Sequence, residues 1–338
     1  MKVIYSEDHA LHAPVSAFAR GSWGAHDEVP ARARNILEAV RRLGWPVTAP
    51  APVGREALLS VHTPDYVDYL AGAYQEWIAA GYPGEGAVGS TFPRRLSGPR
   101  PVELRGRTGW YCFDSETPIA ERTFNAALAA AACALSGADS LIAGAPCAYA
   151  LCRPPGHHAG PDYCGGYCYL NNAALAARRL AAAGRTVVIL DLDYHHGNGT
   201  QDIFYESPDV LYASIHCDPR YAFPYGWGFA DETGAGPGEG LNLNLPLPPD
   251  ADAADWLGAL GRALDAAAAF GPAFAVISLG TDCSAGDPLG TFAVTPDTLA
   301  EAGRRIGSLG VPALVVQEGG YDLPSIGLSV TAFLQGLA

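Results

Sequence analysis

The sequence predicts an α/β protein: a parallel sheet covered by helices on both faces. Two observations carry that prediction. Short runs of uniformly apolar residues (Val187–Leu190, Val210–Ile215, Ala275–Leu279 and Ala313–Val316) alternate with stretches of helical periodicity. A strand that is apolar at every position is buried on both faces, which parallel sheets with crossover helices provide. Each of these strands also runs straight into polar residues: Asp191-Leu-Asp193-Tyr-His195-His196, then Ile215-His216-Cys217-Asp218, Gly280-Thr-Asp282 and Gln317-Glu-Gly-Gly-Tyr321. Open α/β sheets bind ligands beyond the carboxyl ends of their strands, so this rim is the expected site.

The helices follow from apolar spacing. They are expected at Arg32–Leu43, Phe124–Ser136, Ala173–Ala183, Ala254–Phe270 and Pro296–Gly310, several closed by a glycine suited to a helix C-terminus. Residues 81–119 differ: rich in Gly, Pro and Arg and without periodicity, they read as a long loop insertion that is functional or makes contacts. No repeat or linker divides the chain, so residues 1–338 are expected to form one domain.

Composition narrows the function. The chain carries 35 acidic against 21 basic residues, a net charge of −14, and Lys2 is its only lysine. Such a chain is poorly suited to nucleic acid or anionic lipid, and its field favours small cations instead. The start, MKVIYSEDHA, lacks the apolar core of a signal peptide, and charges interrupt the apolar stretches below spanning length. Eight scattered cysteines form no disulfide framework, and Cys164 and Cys168 lack a partner pair for a zinc ribbon. A cytoplasmic location with no membrane partner is the expectation.

Asp193 and His195 flank one residue at a strand end, where alternate side chains point the same way. With Asp282 from another strand end they supply one nitrogen and two carboxylates, a catalytic set for Zn²⁺ that also tolerates Fe²⁺. In Arg153-Pro-Pro-Gly-His157-His158 a rigid turn carries two adjacent histidines, suited to proton transfer beside a metal. Asp191 and Asn198 are available to hold their outer nitrogens; a carboxylate raises a histidine's basicity and an amide does not, so the two should differ in pKa. Tyr321, after Gly319-Gly320, is either an oxyanion donor or a packed tyrosine, and this motif leaves both open.

Five motifs in order carry a family resemblance: RPPGHHAG (Arg153–Gly160), GGYCYLNNAA (Gly165–Ala174), DLDYHHGNGTQDIFY (Asp191–Tyr205), SLGTDCSAGDPLG (Ser278–Gly290) and QEGGYDLPSIG (Gln317–Gly327). The chain resembles the histone deacetylase superfamily almost end to end, and within it the bacterial acetylpolyamine amidohydrolases. The resemblance implies an arginase–deacetylase fold, one parallel sheet of about eight strands with helices on both faces, with Asp193, His195 and Asp282 as ligands of one Zn²⁺. It makes His158, backed by Asn198, the general base. His157, paired with Asp191, becomes the electrostatic support or the proton donor to the leaving amine. Tyr321 becomes the donor to the oxyanion. Tyr167, Phe223 and Leu289 match walls of the family's substrate tunnel, and Gly166 the carbonyl that accepts the substrate N–H. A structural K⁺ is implied at Asp191, Asp193, His195, Ser214 and Ile215, and a second monovalent ion near Phe204, Ser207 and Val210. The two-metal arginase branch does not fit, because Gly197 and Gly280 stand where its additional carboxylates belong.

The substrate is less determined. Residues 81–107 correspond to an insertion that pairs two subunits in the bacterial polyamine enzymes, so a homodimer is expected. Where those enzymes present a glutamate for the distal amine, this chain places Arg105; Glu116 matches a second acidic position, and Glu103 lies nearby. The reading is deacetylation of small acetylated amines, polyamines first. A broad acylamide or acetyl-lysine deacetylase is the alternative, and a non-catalytic binding protein the alternative of another class.

Overall fold

A computed structural model describes residues 1–19, 21–82, 84–93 and 98–338. Eight strands form the central sheet: β1 Lys2–Ile4, β2 Val47–Thr48, β3 Cys147–Ala150, β4 Val187–Asp191, β5 Val210–Cys217, β6 Asn242–Leu247, β7 Phe274–Leu279 and β8 Ala313–Gln317. Their order across the sheet is β6-β5-β4-β7-β8-β3-β1-β2, and every neighbouring pair is parallel. The order turns back between β4 and β7, because β5 and β6 extend to one side of β4 and β7 and β8 to the other. A crevice at such a reversal is where open α/β sheets place their ligands.

The central strands β4, β7 and β8 are largely apolar because both faces are covered. Val188 and Leu190 pack into a core shared with the helices Ala31–Arg42, Ala253–Phe270, Pro296–Gly307 and Ile326–Leu337. Val187 and Ile189, pointing the other way, join Thr123–Ile142 and Asn172–Ala181. Successive strand residues thus serve opposite cores, the period-two geometry of an extended chain. Side-chain caps define several helix starts: Asp252 and Asp255 form a reciprocal capping box, and so do Thr295 and Thr298.

Three expectations are corrected. The loop-rich insertion contains a helix, Leu104–Tyr111, started by Glu103, whose side chain accepts from Gly106 N. Its two glycines hide it from periodicity; burial of Tyr111, stacked on Tyr69 at 4.4 Å, holds it in place. The helix expected at Phe124–Ser136 runs from Thr123 to Ile142, because Gly137 lets it approach Leu314 of β8 with no room for a side chain. At 20 residues this helix is long and apolar enough to cross a membrane, against the expectation that no stretch is, yet most of it is buried in the core. Of the insertion, Pro83 and residues 94–97 lie outside the described residues.

Buried His62 ties the insertion's core to the loop that follows His157 and His158. Its Nδ1–H donates to Gly160 O at 2.9 Å and its Nε2 accepts from Asn171 N at 3.0 Å, so the ring is neutral. Burial lowers its pKa from 6.5 to about 4. The unfolded chain therefore takes up a proton below pH 6.5 that the folded chain refuses until about pH 4, and the contribution of His62 is lost as pH falls through that window. Between pH 6.5 and pH 5 the stability of the wild type relative to His62→Gln should fall by about 1.5 kcal/mol. Denaturant titrations at the two pH values measure it; a difference independent of pH would contradict the buried neutral ring.

Candidate active site

The carboxyl ends of β3, β4, β7 and β8 deliver the chemistry to one crevice. Asp193 and His195 follow β4, Asp282 follows β7, and these strands flank the reversal in the sheet. Their ligand atoms lie within 4.8 Å of one another, with His195 Nδ1 3.1 Å from Asp282 Oδ2 and 3.3 Å from Asp193 Oδ1. Asp193 and Asp282 are almost wholly buried, and backbone N–H groups hold oxygens of both, His195 N donating to Asp193 Oδ1 at 2.9 Å. Asp193 Oδ2 accepts from Gly319 N at 2.8 Å, and Asp282 Oδ1 accepts from Tyr194 N at 2.9 Å.

Such a pair of carboxylates calls for positive charge. Burial, with Asp193 as its like-charged neighbour, raises Asp282 to about 7. Burial opposes a charge on His195, but hydrogen bonds to Asp193 and Asp282 carry it up to about 9. A proton here stands in for a cation: the two carboxylates and one imidazole match the donor set of a divalent metal with open positions. The surroundings fit a single ion. A methyl group on Gly319 would stand 2.7 Å from Asp193 Oδ2 and closer still to Asp282 Oδ2, and one on Gly280 would run into the Asp193 carboxylate.

His157 and His158 lie beside this cluster with ring centroids 4.0 Å apart. His157 Nδ1 meets Asp191 Oδ2 at 3.2 Å, and His158 Nδ1 meets Asn198 Oδ1 at 2.8 Å. The outcome is the split that the two partners imply. Burial opposes charge on His157, yet Asp193 and Asp191 raise it to about 10. Burial and the neighbouring charges of His157 and His195 push His158 well below its ordinary value. His158 is the neutral ring, with Nδ1–H turned to Asn198 and no hydrogen bond to Nε2 among the described residues.

The cleft over these groups has a volume of about 370 Å³ and is lined by His158, Gly166, Tyr167, His195, Phe223, Leu289, Glu116 and Tyr321, together with Asp114, Tyr194, Tyr221 and Tyr225. Gly166 (φ +55°) and Tyr167 (φ +65°) are both left-handed, a costly state for tyrosine. Asp114 and Thr117 hold it: Asp114 Oδ2 accepts from Gly166 N, and Thr117 Oγ1 accepts from Tyr167 N at 2.9 Å. A side chain at Gly166 would strike the His158 ring. Tyr167 donates its hydroxyl to Glu116 Oε2 at 3.2 Å. Asp287 accepts from Tyr321 N at 2.6 Å and from Leu289 N at 3.0 Å, joining a wall of the cleft to the tyrosine turn.

Arg105 is not brought to the cleft. It pairs with Glu103 at 3.2 Å, stands over Tyr82 and is exposed. Of the residues expected at monovalent ions, Asp191 and Ser214 are register partners in β4 and β5, with Ile215 following. Phe204 O accepts from Ser207 N, and the buried Ser207 Oγ has no hydrogen-bond partner among the described residues, an open oxygen where the second ion is expected. Sequence reasoning missed Asp114, Thr117, Asp287 and Glu318. Glu318 Oε2 accepts from Gly156 N at 2.6 Å and His157 N at 3.1 Å, fixing the histidine turn from β8. Its signal was its place between a buried strand and two glycines.

A histone deacetylase domain matches residues 26–337. The chain belongs to the histone deacetylase family. It is 47% identical to the acetylpolyamine amidohydrolase of Mycoplana ramosa over 341 residues, the whole of both chains. It is 46% identical to acetylpolyamine amidohydrolase 1 of Pseudomonas aeruginosa over 99% of this chain and 98% of that one. The crystal structure of acetylpolyamine aminohydrolase from Burkholderia pseudomallei superposes with a TM-score of 0.95 at 40% identity, covering 100% of this chain and 98% of that one. The fold of this family member is the arginase–deacetylase fold, and the protein is a hydrolase of amide bonds.

The cradle makes its own prediction. Gly319→Ala, which places a methyl group against both carboxylates, should weaken divalent-metal binding at least about tenfold while cooperative unfolding persists. Competition titration against a chromogenic chelator reads this directly; binding at wild-type strength would place the ion elsewhere.

Proposed function

We propose that this protein deacetylates small acetylated amines, acetylpolyamines first, using one Zn²⁺ held by Asp193, His195 and Asp282, with Fe²⁺ as the alternative ion. The observation that carries the reading is the convergence of His158 held by Asn198, His157 held by Asp191, and Tyr321 on that one cluster beneath a cleft of about 370 Å³. The names of the full-length relatives support the substrate class.

When bound, the metal would polarise the acetyl carbonyl and lower the pKa of a water molecule. The chain's residues do the rest. The Gly166 carbonyl accepts the substrate N–H and sets the amide in register between Tyr167 and Phe223. His158 Nε2 takes the proton of the attacking water, and Asn198 keeps its Nδ1–H oriented. Tyr321 donates its hydroxyl proton in a hydrogen bond to the oxyanion that develops on the carbonyl. Burial holds that phenol well above its ordinary pKa, so it remains a donor. His157, paired with Asp191, supplies electrostatic support for the negative charge or the proton that the leaving amine needs.

Glu116 gives the cleft wall a carboxylate within reach of a cationic chain. With Arg105 turned to Glu103, this favours cationic substrates over anionic ones. The same reading includes K⁺ at Asp191 and Ser214, a homodimer through residues 81–107, where Val102 is 93% exposed, and a cytoplasmic location.

Tyr321→Phe and His158→Ala should each lower kcat about 100-fold or more with zinc stoichiometry unchanged. Wild-type turnover in both variants would overturn the mechanism. Initial rates across N-acetylputrescine, N-acetylcadaverine, acetylspermidine, a neutral acetylated alkylamine, an anionic analogue and an acetyl-lysine peptide test the substrate. The cationic diamines should lead, and Glu116→Gln should raise their KM about tenfold while sparing the neutral compound. Equal turnover of the neutral compound, or a preference for the peptide, would replace polyamines with the broader acylamide or acetyl-lysine class.

A further inference from the structure

One buried carboxylate outside the cleft binds two arginines, and each arginine runs to a catalytic turn. Glu28 is wholly buried and precedes the helix Ala31–Arg42. Its Oε1 accepts from Arg32 Nη1 at 2.7 Å and from Arg153 Nε at 2.8 Å. Both guanidinium groups are as buried as the carboxylate, with Arg32 2% and Arg153 1% exposed.

What the arginines hold gives the carboxylate its significance. Arg32 Nη2 donates to Glu318 O at 2.6 Å and its Nε donates to Gly320 O, so the guanidinium brackets the Glu318-Gly319-Gly320 turn from both ends. Its Cζ also lies 4.7 Å from the centroid of the Tyr321 ring. Between the two carbonyls, Gly319 N donates to the metal-site carboxylate of Asp193, and Gly320 is left-handed at φ +118°. Arg153 opens the turn that ends in His157 and His158; its Nη1 is spent on His9 O and His12 O, which anchors it to the N-terminal segment.

A guanidinium carries five N–H donors in a rigid fork. Arg32 can hold both carbonyls and face the phenol only if its remaining arm is fixed, and Glu28 is the acceptor that fixes it. Two buried guanidinium groups with no carboxylate between them would also repel, and the turn that depends on Arg32 would move with it. We propose that Glu28 is a positioning residue for Tyr321, acting through the fork of Arg32 on the turn that presents the phenol to the substrate carbonyl. The inference rests on the role given to Tyr321 above. It assigns Glu28 no contact with the substrate.

The test is a double-mutant cycle on the zinc-loaded enzyme. Glu28→Gln keeps the shape of the side chain and removes its charge. It should lower kcat about tenfold or more, leave KM within about threefold and keep one zinc per chain. On a Tyr321→Phe background the same substitution should cost less than about threefold, because the phenol it positions is already absent. A purely structural role would cost the same factor on both backgrounds, and that result overturns the proposal, as does a wild-type kcat in Glu28→Gln. If Glu28→Gln does not fold, Arg32→Lys keeps the charge but lacks the fork; the same cycle then applies to it, and the same two results would overturn the proposal. A fully active Tyr321→Phe removes the role of the phenol and this proposal together; an inactive Tyr321→Phe beside a wild-type Glu28→Gln removes this proposal alone.

Discussion

The structure turns on two carboxylates that repel. Asp193 and Asp282 face each other, almost fully buried, at the point where the sheet reverses its winding. Desolvation and mutual repulsion make that arrangement unfavourable unless positive charge and N–H donors converge on it. They do: His195 lies between the carboxylates, Gly319 and Tyr194 donate backbone N–H groups, and the charged His157 stands 3.8 Å from Asp193. A single divalent cation answers the same demand more completely than these protons can.

That demand spreads outward as a hierarchy of fixed turns. The charge of the cluster helps to hold His157 protonated and, through His157 and His195, helps to keep His158 neutral, so one electrostatic source separates two chemically identical rings. Orientation is then supplied by carboxylates that bind backbone rather than substrate. Glu318 accepts from the histidine turn, Asp114 from Gly166, and Asp287 from the tyrosine turn. Each sits on a different element from the turn it holds. The cleft is in this way assembled from loops but given the rigidity of the sheet beneath it, and the left-handed Tyr167 is the local strain that this rigidity sustains.

Much of the site was legible because its chemistry is written locally. Asp193 and His195 alternate at a strand end, His157 and His158 follow a proline-rich turn, and Asp191 and Asn198 stand within a few residues of the ligands. The structure brings these together as the pattern required. The supporting residues were not legible in the same way. Arg32 meets Gly320 across 288 positions and Glu318 meets Gly156 across 162, and no local periodicity encodes such a contact. Nor did the insertion reveal its helix Leu104–Tyr111, whose stability comes from Tyr111 against Tyr69 rather than from propensity.

By itself the sequence determined the layered α/β architecture, because uniformly apolar strands have only one way to be buried. It also singled out Asp193, His195, Asp282, His157 and His158 as site candidates, because strand ends impose a spacing on groups that act together, and the fold gathers them at one crevice. To the pKa difference that Asp191 and Asn198 imply for His157 and His158, only the tertiary structure added the field of groups beyond those two partners, Asp193 raising His157 and the neighbouring His195 lowering His158. It alone decided that Glu116 lines the cleft while Arg105 turns away to Glu103 and Tyr82. Both residues lie in loop-rich sequence where direction is set by packing, and packing is a property of the whole chain.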